Sequence, residues 1–170
     1  MKAIKIILGF ITFLVLAFFA TGFFVPEITY TTAVQIKQPL DVVFTDFQNT
    51  EMLKKWVPEI KSITPLNEVP GKVGSTYQIV VVNEGQTLTM SETVLAYEEN
   101  KQLTLSMEGG GMLKTNAYTF SYANGLTTLT QQSTCSSNSH IMSCVFPYFK
   151  GVLQGKDQAY LDAFKKLLEK

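Results

Sequence analysis

The chain opens on an apolar run. From Ile6 to Val25 there is no charged residue, and the run is interrupted only by Thr12, Thr21, Gly9 and Gly22. After Pro26-Glu27 the pattern becomes alternation. Tyr30, Thr32, Val34 and Ile36 recur at every second position, which is the period of a strand with one buried face. Pro39 ends that strand, because it cannot donate to a ladder, and it suits the first turn of a helix. Val42, Val43, Phe44 and Phe47 then fall at helical spacing, and Met52, Leu53 and Trp56 form a second short apolar face. Two short helices are therefore expected, over Leu40–Asn49 and Glu51–Val57, with Thr50 as the cap of the second.

Strands follow in series. Glu59–Leu66 is read as a second strand that runs into the turn 67–74. Ser75–Asn83 is a third, with Tyr77, Ile79 and Val81 on one face. Asn83-Glu84-Gly85-Gln86 is a hairpin turn, and Thr87–Glu98 is the fourth strand. Gln102–Glu108 and Leu113–Tyr122 are the fifth and sixth, with Tyr118, Phe120 and Tyr122 sharing a face. Ala123-Asn124-Gly125 is another hairpin signal, leading into Leu126–Cys135. The polar stretch Ser136–Ser139 then links to a long helix ending near Glu169, starting at Met142 or Tyr148. Its expected apolar stripe is Phe149, Val152, Leu153, Tyr160, Phe164, Leu167 and Leu168. Consecutive hairpins imply an antiparallel sheet, and a sheet with its helices on one face is an α+β architecture.

The opening run fits a membrane span. About twenty residues at about 1.5 Å each match a hydrocarbon core of about 30 Å. Lys2 and Lys5 precede the run, and no Lys follows it until Lys37. The positive-inside bias then places the N-terminus in the cytoplasm and the rest of the chain on the far side. Cleavage as a signal peptide at Ala20-Thr21-Gly22 is the rival reading. The chain thus divides into residues 1–27, an anchor or uncleaved signal, and residues 28–170, one domain.

The first strand, Pro39-Leu40-Asp41-Val42-Val43-Phe44, Trp56-Val57-Pro58 and Val73-Gly74-Ser75 together resemble the START/SRPBCC superfamily, in its polyketide cyclase/dehydrase-like and lipid-transport branch. The resemblance covers roughly residues 29–169. It implies a helix-grip fold: a curved antiparallel sheet of about 6–7 strands, two short helices, and one long C-terminal helix gripped by the sheet. It also implies a cavity between sheet and helix. Trp56, Tyr77, Met90, Glu92, Tyr118, Phe120, Phe149 and Leu153 are the residues expected to line it, and such a lining suits a flat or long apolar ligand.

Charge and composition narrow the function further. Formal net charge is zero across the 170 residues, and every basic residue is Lys. A nucleic-acid binder would show a basic stripe with Arg for bidentate contacts, so nucleic acid is not an expected partner. Candidate chemistry is sparse. Glu92 falls with Leu88, Met90 and Val94 on an otherwise apolar strand face. A carboxyl buried there would titrate high and could act as acid, base or ligand anchor; a one-residue bulge would instead turn it to solvent. His140, the sole histidine, stands in the polar linker with no metal-ligand partner at usable spacing. No metal or cofactor is expected. Cys135 and Cys144 could be two free thiols, or could bridge the last strand to the helix if the domain lies outside the cytoplasm, for about 2–3 kcal/mol.

These features favour a membrane-anchored binding protein that holds a lipid or other small hydrophobic molecule. Two alternatives stand. One is a cyclase- or dehydrase-like enzyme on an apolar substrate, using Glu92 or His140. The other is an interaction module that modulates a membrane or chaperone partner.

Overall fold

The computed structural model describes residues 2–83 and 85–170; Glu84, expected in the hairpin turn after Asn83, lies outside the described residues. Helix α1 (Lys2–Phe24) is followed by strand β1 (Glu27–Ile36), helices α2 (Leu40–Gln48) and α3 (Thr50–Trp56), strands β2 (Ile60–Asn67), β3 (Thr76–Asn83), β4 (Gln86–Glu98), β5 (Gln102–Gly109), β6 (Met112–Ala123) and β7 (Leu126–Ser136), and helix α4 (His140–Leu168). All seven strands form one antiparallel sheet in the order β1-β7-β6-β5-β4-β3-β2.

Alternation in β1 is complete: Ile28, Tyr30, Thr32, Val34 and Ile36 are buried and the residues between them are exposed. α4 lies along β1 and supplies the edge strand with polar partners. Gln158 accepts from Ala33 N (3.2 Å) and donates to Ala33 O (3.0 Å), and Gln154 donates to Thr31 O (3.0 Å). These bonds cover the middle of the free edge of β1 and so limit its use as a template for another chain.

The main core lies between α2, α3, the far half of α4 and the inner sheet face. Phe47 is its centre, with ring centroids 4.7 Å from Tyr118, 5.4 Å from Trp56, 5.4 Å from Phe120 and 5.6 Å from Phe164. A second cluster of Ile28, Tyr30, Cys135 and Phe146 sits under the first half of α4.

Three expectations are corrected, and of the two readings of the cysteines the free thiols are found. The cap of α3 is Asn49, not Thr50: its side-chain oxygen accepts from Glu51 N (2.9 Å) and Met52 N (3.1 Å). α4 begins at His140, earlier than either expected start. Phe149 and Val152 are off its inner stripe, 51% and 64% exposed; Phe146, two turns before Leu153, takes the inward position. No Cys135–Cys144 bridge forms, because the two buried thiols face different neighbours. Cys135 Sγ is 3.9 Å from Tyr30 Oη, whereas Cys144 Sγ contacts Phe19 O of α1 at 3.5 Å.

α1 meets the rest of the chain only through its last turns. Gly22 is buried against α4, where an added Cβ would lie 2.6 Å from Cys144 Sγ. His140 Nε2 pairs with Phe19 O at 3.1 Å, and Phe18 stacks on Tyr148. The preceding residues of α1 are exposed all round, and the helix is long and apolar enough to cross a membrane.

Candidate functional site

The inner sheet face, α2, α3 and α4 enclose a cavity of about 460 Å³. Much of its wall is apolar: Phe47, Leu53, Trp56, Ile79, Val94, Leu103, Leu105 and Met107. These residues reach it by simple periodicity. Leu103, Leu105 and Met107 alternate along β5, while Leu53 and Trp56 are one turn apart on α3.

Polar groups gather at one end. Asp157 comes from α4, four residues before the buried Leu161, and so points into the sheet. Lys114 Nζ holds both of its carboxylate oxygens at 2.7 Å. Tyr30 Oη donates to Asp157 Oδ2 at 2.9 Å and Gln131 Nε2 donates to it at 2.8 Å. Gln131 Nε2 also donates to Ser133 Oγ (2.8 Å), which in turn donates to Asn116 Oδ1 (2.8 Å). The Lys114 and Asp157 side chains are only 13% and 7% exposed. A charge pair that far from water persists because the carboxylate holds the ammonium through both oxygens and also accepts from Tyr30, Gln131 and Ser133.

Two lining groups stand outside this network: Trp56 Nε1, which is buried without a hydrogen-bond partner among the described residues, and Glu92. Glu92 stands in one cross-strand row with Tyr77, Met107 and Lys114, paired directly with Tyr77 on β3 and Met107 on β5. Lys114 is two strands away, about 10 Å at about 4.8 Å per strand, and is already held by Asp157. Among the described residues Glu92 has no ion pair and no side-chain hydrogen bond. Burial alone pushes its carboxyl up to about 7. The bulge that would have turned it outward does occur in β4, but between Val94 and Ala96, beyond Glu92. The Tyr118 hydroxyl is also raised, first by burial and then by the nearby Asp157 and Glu92 carboxylates.

The mouth lies between α2 and the connection before β3. Lys72 crosses it: Nζ donates to Gln48 Oε1 (2.6 Å) and to Tyr97 Oη (3.2 Å), and lies 4.3 Å from the Tyr97 ring centroid. Lys72 has φ +68° and is flanked by Gly71 at +81° and Gly74 at +87°. The glycines let the turn adopt the left-handed backbone that aims Lys72 back over the opening.

Of the residues expected at the cavity, Trp56, Tyr77, Glu92 and Tyr118 line it. Phe120 is instead packed edge-on against Phe44 and Phe47 in the core. Met90 is buried opposite Gly109, where it fills the space left by the missing side chain. Leu153 packs on the second cluster, and Phe149 is on the surface. His140 is not near the cavity; it starts α4 and rests against Phe19 and Phe23 of α1. Lys114, Asn116, Gln131, Ser133 and Asp157 were not expected. Their signal was polar residues at core-facing periodic positions: Lys114 and Asn116 continue the alternation of Tyr118 and Phe120.

No protein-family model matches the chain, and no curated protein matches it. Solved structures do. The Zhui aromatase/cyclase from a Streptomyces species superposes with a TM-score of 0.69 over 84% of this chain and 94% of its own, at 11% identity. Ara h 8.0201 gives 0.64 over 84% and 97%, at 16% identity. This chain has the helix-grip fold. A Thermus thermophilus protein with the same helix grip gives 0.62 over 83% and 95%, at 16% identity. The matches span most of each partner, so the helix grip accounts for the sheet, α2, α3 and α4.

Proposed function

We propose that this chain is a membrane-anchored binding protein whose cavity holds a lipid or other small hydrophobic molecule. The cavity carries the reading. Its volume falls in the range of about 300–1,000 Å³ typical of small-molecule sites, and an apolar wall with a few converging polar groups is the usual make-up of such sites. The anchor is α1, with Lys2 and Lys5 on the cytoplasmic side and the domain outside it. A surface beside α1 supports this placement. Ile141, Tyr148, Phe149 and Val152 of α4 are 51–64% exposed, the range set by Phe149 and Val152. An exposed apolar patch of this kind suits contact with a bilayer surface.

Native mass spectrometry of the full chain extracted from membranes tests the binding reading. The expected result is a retained small-molecule mass that Leu105→Trp, which fills the cavity, displaces. Delipidated protein that takes up nothing from a membrane extract would count against it.

A second reading is an enzyme of cyclase- or dehydrase-like type, favoured by the raised, unpaired Glu92 carboxyl and by the aromatase/cyclase named above. The Lys114–Asp157 pair is committed to itself, which leaves Glu92 as the candidate acid or base in the inner part of the cavity. Turnover in any substrate screen that survives Glu92→Gln would remove Glu92 as its acid or base.

A further inference from the structure

The cavity wall carries two kinds of polar group. Lys114, Asp157, Gln131, Ser133 and Asn116 satisfy one another. Glu92 is satisfied by nothing among the described residues, although it lines the same space. Its direct neighbours in the sheet are Tyr77, whose ring cannot neutralise a charge, and Met107. The cation that could have paired with it, Lys114, is committed to Asp157. Apart from Glu68 and Lys72, which are exposed, the lining charge without a partner among the described residues is the Glu92 carboxyl, and it is set among aromatic side chains: Tyr77, Tyr118 and Trp56 line the space with it.

Given that the cavity takes a small hydrophobic molecule, we propose that this molecule carries a basic nitrogen, and that Glu92 receives it. Three facts point the same way. A half-buried carboxyl in an apolar wall with no protein cation is costly when ionised, and a ligand ammonium removes that cost. Aromatic faces attract cations, and more strongly in a desolvated site. At the inner end a ligand carboxylate would meet Glu92, because Lys114 is held by Asp157 and the other lining cation, Lys72, is engaged by Gln48 and Tyr97.

The groups facing Glu92 fix the proton balance. From β3 comes Tyr77, from β5 Met107, from β6 Lys114 and Tyr118, and from α4 Asp157 and Tyr160, while Glu68 and Lys72 line the cavity from the connection between β2 and β3. Lys114 and Asp157 remain paired throughout. With Glu92 titrating at about 7, about half of the molecules hold its proton at pH 7. An ammonium bound beside it favours the carboxylate, so binding releases about half a proton per ligand. That proton leaves to solvent, and no bond other than O–H is broken.

Three matched probes test this on the full chain in nanodiscs, with empty nanodiscs as the reference: naphthylmethylamine, naphthylmethanol and naphthoate. Calorimetry in two buffers of different ionisation enthalpy gives affinity and proton release together. The amine is expected to bind at least about tenfold more tightly than naphthoate and to release about half a proton at pH 7. Glu92→Gln is expected to erase both the preference and the release. Unchanged thermal unfolding of the variant, or a rise in its unfolding temperature, shows that it is folded. Equal binding of amine and carboxylate, or a preference that survives Glu92→Gln, overturns the inference while leaving the binding reading intact. Tighter binding of the alcohol than of the amine makes Glu92 a neutral donor and also overturns it. If none of the three binds, the binding reading falls and the inference falls with it.

Discussion

At the scale of single residues, the half-buried Glu92 and the buried Asp157 are opposite cases of an acid in the fold's interior. Among the described residues Glu92 has no partner, and its titration links folding to pH. Unfolded, it titrates near about 4.3; folded, burial raises it to about 7. Between these values the folded state keeps a proton that the unfolded chain has lost. The contribution of protonated Glu92 to stability is therefore fully present below about pH 4.3 and is lost as pH rises through 7. The loss is on the order of 3 kcal/mol. Denaturant unfolding between pH 4 and pH 8 is expected to show this decline, and Glu92→Gln should flatten it and raise stability at pH 8. Asp157 accepts from Lys114, Tyr30 and Gln131. Asp157→Ala strands a buried ammonium and is expected to cost about 3–5 kcal/mol, read from the same unfolding curves. If the variant loses less than about 1 kcal/mol, the network is not the internal brace described above.

At the scale of elements, α1 and α4 meet through one small residue. Gly22 lies where a Cβ would be 2.6 Å from Cys144 Sγ, 2.9 Å from His140 Cε1 and 3.2 Å from Cys144 N. A larger side chain must part the two helices. Gly22→Val is expected to expose Cys144 to a maleimide reagent in the full chain while Cys135, buried inside the sheet, stays unreactive. Equal protection of both thiols would mean that α1 does not rest on α4. Sequence alone made the elements legible, because β1, β5 and α2 obey their periods closely and Asn124-Gly125 marks a tight turn. It did not make the contact legible: Gly22 sits in an apolar run where a glycine carries no periodic signal. Likewise the register of β4 could not be read, because one bulge anywhere along it decides whether Glu92 is inside. The position of that bulge depends on pairing with β5 and not on local residue choice.

At the scale of the whole molecule, the fold was legible and the site only partly so. Tyr118 and Trp56 could be placed inward from alternation and helical spacing. Phe120 and Met90 obey the same alternation yet fill core instead of cavity, since depth along a strand is set by what α2 and α3 bring down on it. Orientation across the membrane is a whole-chain property. A reporter fused after Lys170 that is active only outside the cytoplasm is expected to be active, and activity of a cytoplasm-restricted reporter there would reverse the assignment.

The sheet order has a consequence for how the chain is made. β1 pairs with β7, Glu27 opposite Ser136 and Ile36 opposite Thr127, so about a hundred residues separate partners that must lie side by side. At about 5–20 residues per second, synthesis delivers β7 roughly 5–20 s after β1. Throughout that interval Ile28, Tyr30, Val34 and Ile36 form a strand-prone apolar segment with no ladder to join. Native pairing over so long a separation also closes slowly. The segment just behind α1 is thus the one most exposed to misassembly during biosynthesis, and the glutamines of α4 that later guard its edge emerge only after β7.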